Sequence, residues 1–170
     1  MSSRAEPQKI IHPFPPFYNE DSRILILGSF PSVKSRKQKF FYGHPQNRFW
    51  KVMAGVCGCR VPETTGEKKV FLADNHIALW DTIHSCTITG SSDSSIRDVV
   101  PNDLTPILRA AGIREIYCNG GTSYRLYDKY IREQTGRDAV KLPSTSPANA
   151  AWSLEKLMQA WRVVGEKLNE

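Results

Sequence analysis

The chain has 170 residues, of which 23 are Lys or Arg and 17 Asp or Glu, for a net charge of +6. That length fits one domain able to bury roughly 70% of its unfolded surface. No apolar run approaches the roughly 20 residues of a membrane span, and no charged-then-apolar leader opens the sequence, so a cytoplasmic, nucleoid-associated location is expected.

Residues 1–20 read as an extended proline-rich arm, His12-Pro13-Phe14-Pro15-Pro16-Phe17-Tyr18, packed by its aromatics on a single body spanning 21–170. Arg23 to Leu27 is a continuous apolar run ended by Gly28, the pattern of a buried parallel strand. Residues 32–44 are expected to be a loop, in which Lys34, Arg36, Lys37 and Lys39 would attract a polyanion in a salt-dependent way. Pro45 to Val56 is expected to be a helix with Pro45 in its first turn. A second helix is read over Glu67 to Asp74, and a second strand over Ile77 to Trp80, followed by Asp81-Thr82. Residues 84–101 look irregular, with Ser91-Ser92-Asp93-Ser94-Ser95 as a loop tip.

Thr105-Pro106 opens a helix that Gly112 ends. Glu115 to Cys118 is a third strand, closed by Asn119-Gly120-Gly121. A helix over Thr122 to Gln134 leads to a fourth strand, Ala139 to Leu142. The last helix begins near Ala150, with Leu154, Leu157, Met158, Trp161 and Val164 at helical spacing. Trp50, Trp152 and Trp161 are assigned to packing. The alternation predicts an α/β fold: a three-layer α/β/α sandwich around a four-stranded parallel sheet. All four strand ends carry small or polar residues, and in an open sheet that edge is where ligands bind.

The chemistry is narrowed by what is missing. There is no phosphate-binding Gly-rich loop, dinucleotide fingerprint or nucleophile elbow. The one-residue spacing of Cys57 and Cys59 does not suit zinc, and Cys86 and Cys118 fall near apolar segments, so no metal and no cofactor is expected. Amides, hydroxyls, one Asp and aromatics remain. Such a set suits hydrolysis through an oxocarbenium-like transition state, with a neutral Asn holding water through its carbonyl oxygen and an aromatic stacking on a base.

Four segments carry a resemblance. They are Gly28-Ser29-Phe30-Pro31-Ser32, His44-Pro45-Gln46-Asn47-Arg48-Phe49-Trp50, Ser94-Ser95-Ile96 through Asn102-Asp103, and Ser144-Thr145-Ser146-Pro147-Ala148-Asn149. Together with the His12-Pro13-Phe14-Pro15-Pro16 opening, they resemble the uracil-DNA glycosylase superfamily, in particular its DNA-deoxyinosine (hypoxanthine-DNA) glycosylase branch. The likeness runs over about residues 10–165.

The resemblance implies a monofunctional enzyme that flips a deaminated base out of DNA and hydrolyses its glycosidic bond. Most branches place a water-activating Asn or Asp in the first motif; here those positions are Ser29 and Phe30. The deoxyinosine branch implies Asn47 as the catalytic residue instead. A second-motif His is replaced by Ser144 and Thr145. By the same resemblance, Gly28, Ser29, Phe30, Pro31 and Ser32, with Ser144, Thr145, Ser146, Pro147 and Asn149, would shape the pocket and grip DNA. Phe41 or Tyr42 would stack on the base, His44 would contact the site or a phosphate, and Asp81 would read the base. DNA containing deaminated bases is the expected partner of a monomer with no obligatory protein partner. Two alternatives stay open: a uracil- or mismatch-specific glycosylase of the same fold, and a lesion-binding module without catalysis.

Overall fold

The computed structural model describes residues 6–170. A parallel sheet of four strands has the order β3-β2-β6-β7. β2 is Ile24–Gly28, β3 Ile77–Asp81, β6 Glu115–Asn119 and β7 Val140–Leu142. All residues of β2 and β3 are buried. Neither face of those strands meets water, which is why their sequences run apolar without alternation. The helices that join the strands cover the sheet and give the layered α/β architecture expected from the sequence.

The helices follow their caps. α2 (Phe49–Cys57) ends at Gly58, whose φ of 66° takes the left-handed conformation that terminates a helix. α7 (Leu154–Leu168) begins where the Ser153 hydroxyl accepts from the Lys156 amide. α2 and α7 pack on each other around Phe49, Met53, Leu157 and Trp161, all at 0% exposure. At roughly 25 cal/mol per Å2 of buried apolar surface, each such large side chain contributes about 2 kcal/mol. The remaining helices are α1 (Val33–Gln38), α3 (Thr65–Asp74), α4 (Thr105–Ala110), α5 (Gly121–Leu126) and α6 (Arg132–Thr135).

The structure corrects several sequence expectations. Residues 84–101 are not irregular: β4 (Ile83–Ile88) and β5 (Arg97–Pro101) form an antiparallel sheet with β1 (Gln8–Ile11), in the order β1-β4-β5. The proline-rich segment thus contributes a strand, and Phe17 makes a further bridge to Leu79. Residues 33–38 of the expected loop are helical. The helix expected from Pro45 starts only at Phe49, because residues 45–48 form a turn. The helical stretch after β6 is interrupted by a π-helical segment, Tyr127–Ile131, between α5 and α6. The last helix starts at Leu154, not near Ala150, and Leu154 itself is exposed.

Candidate active site

All four strands of the parallel sheet end in one cavity of about 920 Å3, reached by Gly28 of β2, Asp81 of β3, Asn119 of β6 and Leu142 of β7. Its size is that of a site for a small organic ligand. Every residue singled out in the sequence as a site candidate lines it: Asn47; Gly28 through Ser32; Phe41, Tyr42 and His44; Asp81; and Ser144 through Pro147 with Asn149.

Asn47 stands half-buried in the turn before α2. Its Oδ1 accepts from the Phe49 amide at 2.9 Å and from the Thr145 hydroxyl at 2.8 Å. A backbone N–H can only donate, so the Phe49 contact fixes which end of the amide is oxygen. Both lone pairs of that oxygen are therefore occupied. The NH2 is the amide's remaining hydrogen-bonding group, a donor on a residue that lines the cavity. The oxygen through which the sequence expects Asn47 to hold water thus already accepts two hydrogen bonds from the protein.

Thr145 is fully buried and its hydroxyl is shared inside the protein: it accepts from Asn119 Nδ2 at 3.0 Å while donating to Asn47. The Thr145 amide in turn donates to Asn119 Oδ1. Arg48 completes the junction. Its amide donates to the Thr145 carbonyl, and its guanidinium donates to the carbonyls of Ser146, Asn149 and Trp152. The Asn149 side chain closes the loop on itself by donating to the Ser144 carbonyl. The second motif is therefore a rigid loop clamped to the turn that carries Asn47.

Asp81 lies on the cavity floor at 4% exposure. His12 Nε2 meets its Oδ2 at 2.7 Å, and Asn102 Nδ2 donates to its carbonyl at 2.8 Å. A Cβ on Gly28 would lie 2.5 Å from Asp81 Oδ1, so only glycine leaves room for this carboxylate at the end of β2. Phe41, expected as a possible stacking ring, is a core residue at 2% exposure, set edge-on to Phe14, Phe40 and Trp80. Tyr42 stacks on Phe49 with centroids 4.0 Å apart. Burial, reinforced by the nearby Asp81 charge, pushes its phenol well above the ordinary range, so it stays neutral.

Ser29 donates to Asp93 Oδ1 at 3.0 Å. Asp93 opens the single helical turn Asp93–Ser95 and lines the same cavity. By surface area it is open to solvent, yet the surrounding walls desolvate its carboxyl enough to raise its pKa above the usual value, against hydrogen bonds from Ser29 and Thr122. His44 Nδ1 accepts from the Gln46 amide at 3.1 Å, which leaves Nε2 as the ring nitrogen available to donate.

The basic cluster divides. Lys34, Lys37 and Lys39 are exposed, whereas Arg36 turns inward, donating to the carbonyls of Pro31 and Gly90 and lying 5.9 Å from the centre of the Phe30 ring. Sequence reasoning missed the site positions of His12, Arg48, Asp93 and Trp152. Trp152 is not a packing residue: it is 36% exposed on the cavity wall. It precedes the Ser153 cap of α7 and so falls outside that helix's apolar stripe, which was the available signal. Among the described residues no three His, Cys, Asp or Glu side chains gather as a metal site, and no helix is long and apolar enough to cross a membrane.

Comparison with known proteins bears on this arrangement. The family described as the uracil DNA glycosylase superfamily matches residues 15–165. A hypoxanthine DNA glycosylase of Methanosarcina acetivorans is 33% identical over 152 residues, covering 89% of this chain and 95% of the relative. A protein of the same name from Methanosarcina barkeri is 32% identical over 151 residues, covering 87% and 93% respectively. The solution NMR structure of a candidate uracil DNA glycosylase from Methanosarcina acetivorans superimposes with a TM-score of 0.80 at 31% identity, covering 95% of this chain and 100% of that one.

Proposed function

This chain belongs to the uracil DNA glycosylase superfamily, and from that premise we propose that it is a monofunctional DNA glycosylase that removes deaminated bases, hypoxanthine foremost, by flipping them from DNA and hydrolysing the glycosidic bond. The observation that carries this reading is the Asn47 amide, fixed by Thr145 and Phe49 on the wall of a cavity that admits one nucleoside. The names of the two curated relatives support the choice of hypoxanthine.

The transition state asks for little acid–base strength. As the C1′–N bond breaks, the sugar becomes cationic and the base anionic. The Asn47 NH2 supplies fixed donors where that charge develops, and fixed dipoles need no reorganisation during the step. Asp81, pinned by His12, accepts from a ring N–H. Hypoxanthine carries N1–H where adenine carries a bare acceptor nitrogen, so an ionised carboxylate favours the deaminated ring and repels its parent. His44 Nε2–H and the exposed lysines of α1 and its C-terminal end hold phosphate, and Trp152 offers a face at the rim. Arg48 keeps the second-motif loop rigid behind them.

The test is release of free base from duplex and single-stranded DNAs carrying single inosine, uracil, xanthine or ethenoadenine residues. Hypoxanthine release ahead of uracil is expected. Binding to the inosine DNA without release of any base would make the protein a lesion-binding module instead.

A further inference from the structure

The occupied oxygen of Asn47 leaves the hydrolytic water without an acceptor from that residue. A water attacking C1′ must lose a proton, and a site that only donates hydrogen bonds to it would hold its lone pairs back. The nucleophile needs an acceptor on the cavity wall. Asp81 has one oxygen on His12 and the other over Gly28 at the floor, where the base itself would sit. Asp93 is the other carboxylate lining the cavity.

The setting of Asp93 differs from that of an aspartate in an ordinary turn. Such side chains accept from a backbone N–H two residues on. Here the Ile96 amide bonds to the Asp93 carbonyl, and the carboxylate reaches across 64 positions to Ser29. The segment around it is also tied twice to α1, which follows the first motif directly: the Val33 amide donates to Ser91 Oγ at 2.9 Å, and Arg36 donates to the Gly90 carbonyl at 3.1 Å. Ser29 occupies one Asp93 oxygen, Oδ1, at 3.0 Å, on a residue that lines the cavity.

We propose that Asp93 is a catalytic residue, its carboxylate accepting the proton of the water that attacks C1′, while the Asn47 NH2 serves the departing base. This rests on the glycosylase reading above. In the step, the C1′–N bond breaks and its electron pair leaves with the base. The water oxygen bonds to C1′, one water proton passes to Asp93 and from there to solvent, and the base regains a proton from solvent. The sum is hydrolysis, with no other reactant. The charged or titratable groups around Asp93 are Asp81 of β3, Cys86 of β4 and Arg125 of α5. Asp81 raises its proton affinity and Arg125 lowers it.

The experiment is single-turnover release of hypoxanthine between pH 5 and 9 by the full chain and by Asp93→Asn and Asp93→Glu, with binding to uncleaved DNA measured alongside. Asp93→Asn should slow release by about a hundredfold or more, as expected for loss of a positioned base. It should leave DNA affinity within about threefold and abolish the fall in rate on the acid side. Asp93→Glu should restore part of the rate together with the acid limb. Wild-type rates in Asp93→Asn, or a loss explained by weaker DNA binding, would overturn the assignment. If Asp93→Asn did not fold, Asp93→Glu would decide: an unchanged rate despite the extra methylene would overturn it, and a slowed rate with the acid limb kept would sustain it. Absence of any base release by the wild-type chain would instead reject the glycosylase reading itself.

Discussion

The Thr145 hydroxyl donates to the carbonyl oxygen of Asn47 across 2.8 Å, joining two motifs 98 residues apart. Replacing Thr145 by Val keeps the shape and removes the donor. Asn47 then loses one of two anchors, and Asn119 Nδ2 loses its acceptor. We expect slower base release, by about tenfold, with a stability loss of about 1–3 kcal/mol for the buried group left unpaired. Thr145→Ser should recover most of both. Single-turnover kinetics and urea unfolding measure them separately.

Asn47→Ala should cut base release by at least about a hundredfold, the usual cost of losing a positioned catalytic group, while DNA binding persists. Asn47→Asp is the more informative variant. If the residue acted through its carbonyl oxygen, Asp would substitute tolerably. Because the oxygen is already engaged by Phe49 and Thr145 and the NH2 is what remains, Asp should be as damaging as Ala. Equal activity of Asn47→Asp and wild type would contradict the donor assignment.

The floor of the cavity gives a third expectation. Gly28→Ala puts a methyl 2.5 Å from Asp81 Oδ1, and His12 prevents that carboxylate from simply swinging aside. Base release should fall with little change in DNA affinity. His12→Ala leaves the buried Asp81 side chain without its hydrogen-bond partner and should cost about 1–3 kcal/mol in urea unfolding.

Lys34, Lys37 and Lys39 are open to solvent, whereas Arg36 is held by two carbonyls. Changing the three lysines to Ala should flatten the logarithmic salt dependence of DNA binding by up to about 2.7, at about 0.9 per lost phosphate contact. Arg36→Ala should change that slope least and instead loosen residues 90–95, detectable as faster amide exchange.

Asp93 also predicts a pH effect on stability. Its folded pKa lies above the unfolded value, because desolvation disfavours the charged form. The ionised carboxylate is therefore a stability cost. The cost is full above the folded pKa and vanishes below the unfolded value, about 4. Asp93→Asn, which can still accept from Ser29, should raise Tm at pH 7, and the gain should shrink to nothing as the pH falls toward 4. A constant Tm difference across that range would contradict this.

The parallel sheet was legible because its strands are buried on both faces and so spell uninterrupted apolar runs, as in Ile24–Leu27. The antiparallel sheet was not. β4 reads Ile-His-Ser-Cys-Thr-Ile and shifts register between Ile83 and Ser85 and again between Ser85 and Thr87, which breaks the alternation that marks a strand. β5 is a largely exposed edge carrying Arg97 and Asp98. The start of α2 differs from the expectation because Pro45 suits a first helical turn, whereas the Asn47 side chain accepts from the Phe49 amide and closes a turn ahead of the helix. Candidate site residues were found where a strand end or a motif pointed to them. His12 and Asp93 were passed over because each acts only after β1 or the 90–95 segment has docked on a distant strand end.

The pocket draws its walls from positions 28, 47, 81, 93, 119 and 145, so nothing short of the whole topology assembles it. Closing such long loops is slow and cooperative. On refolding from denaturant, turnover should therefore return with the last kinetic phase, after helical circular dichroism has recovered, making enzymatic competence a stricter gauge of the native state than any spectroscopic signal.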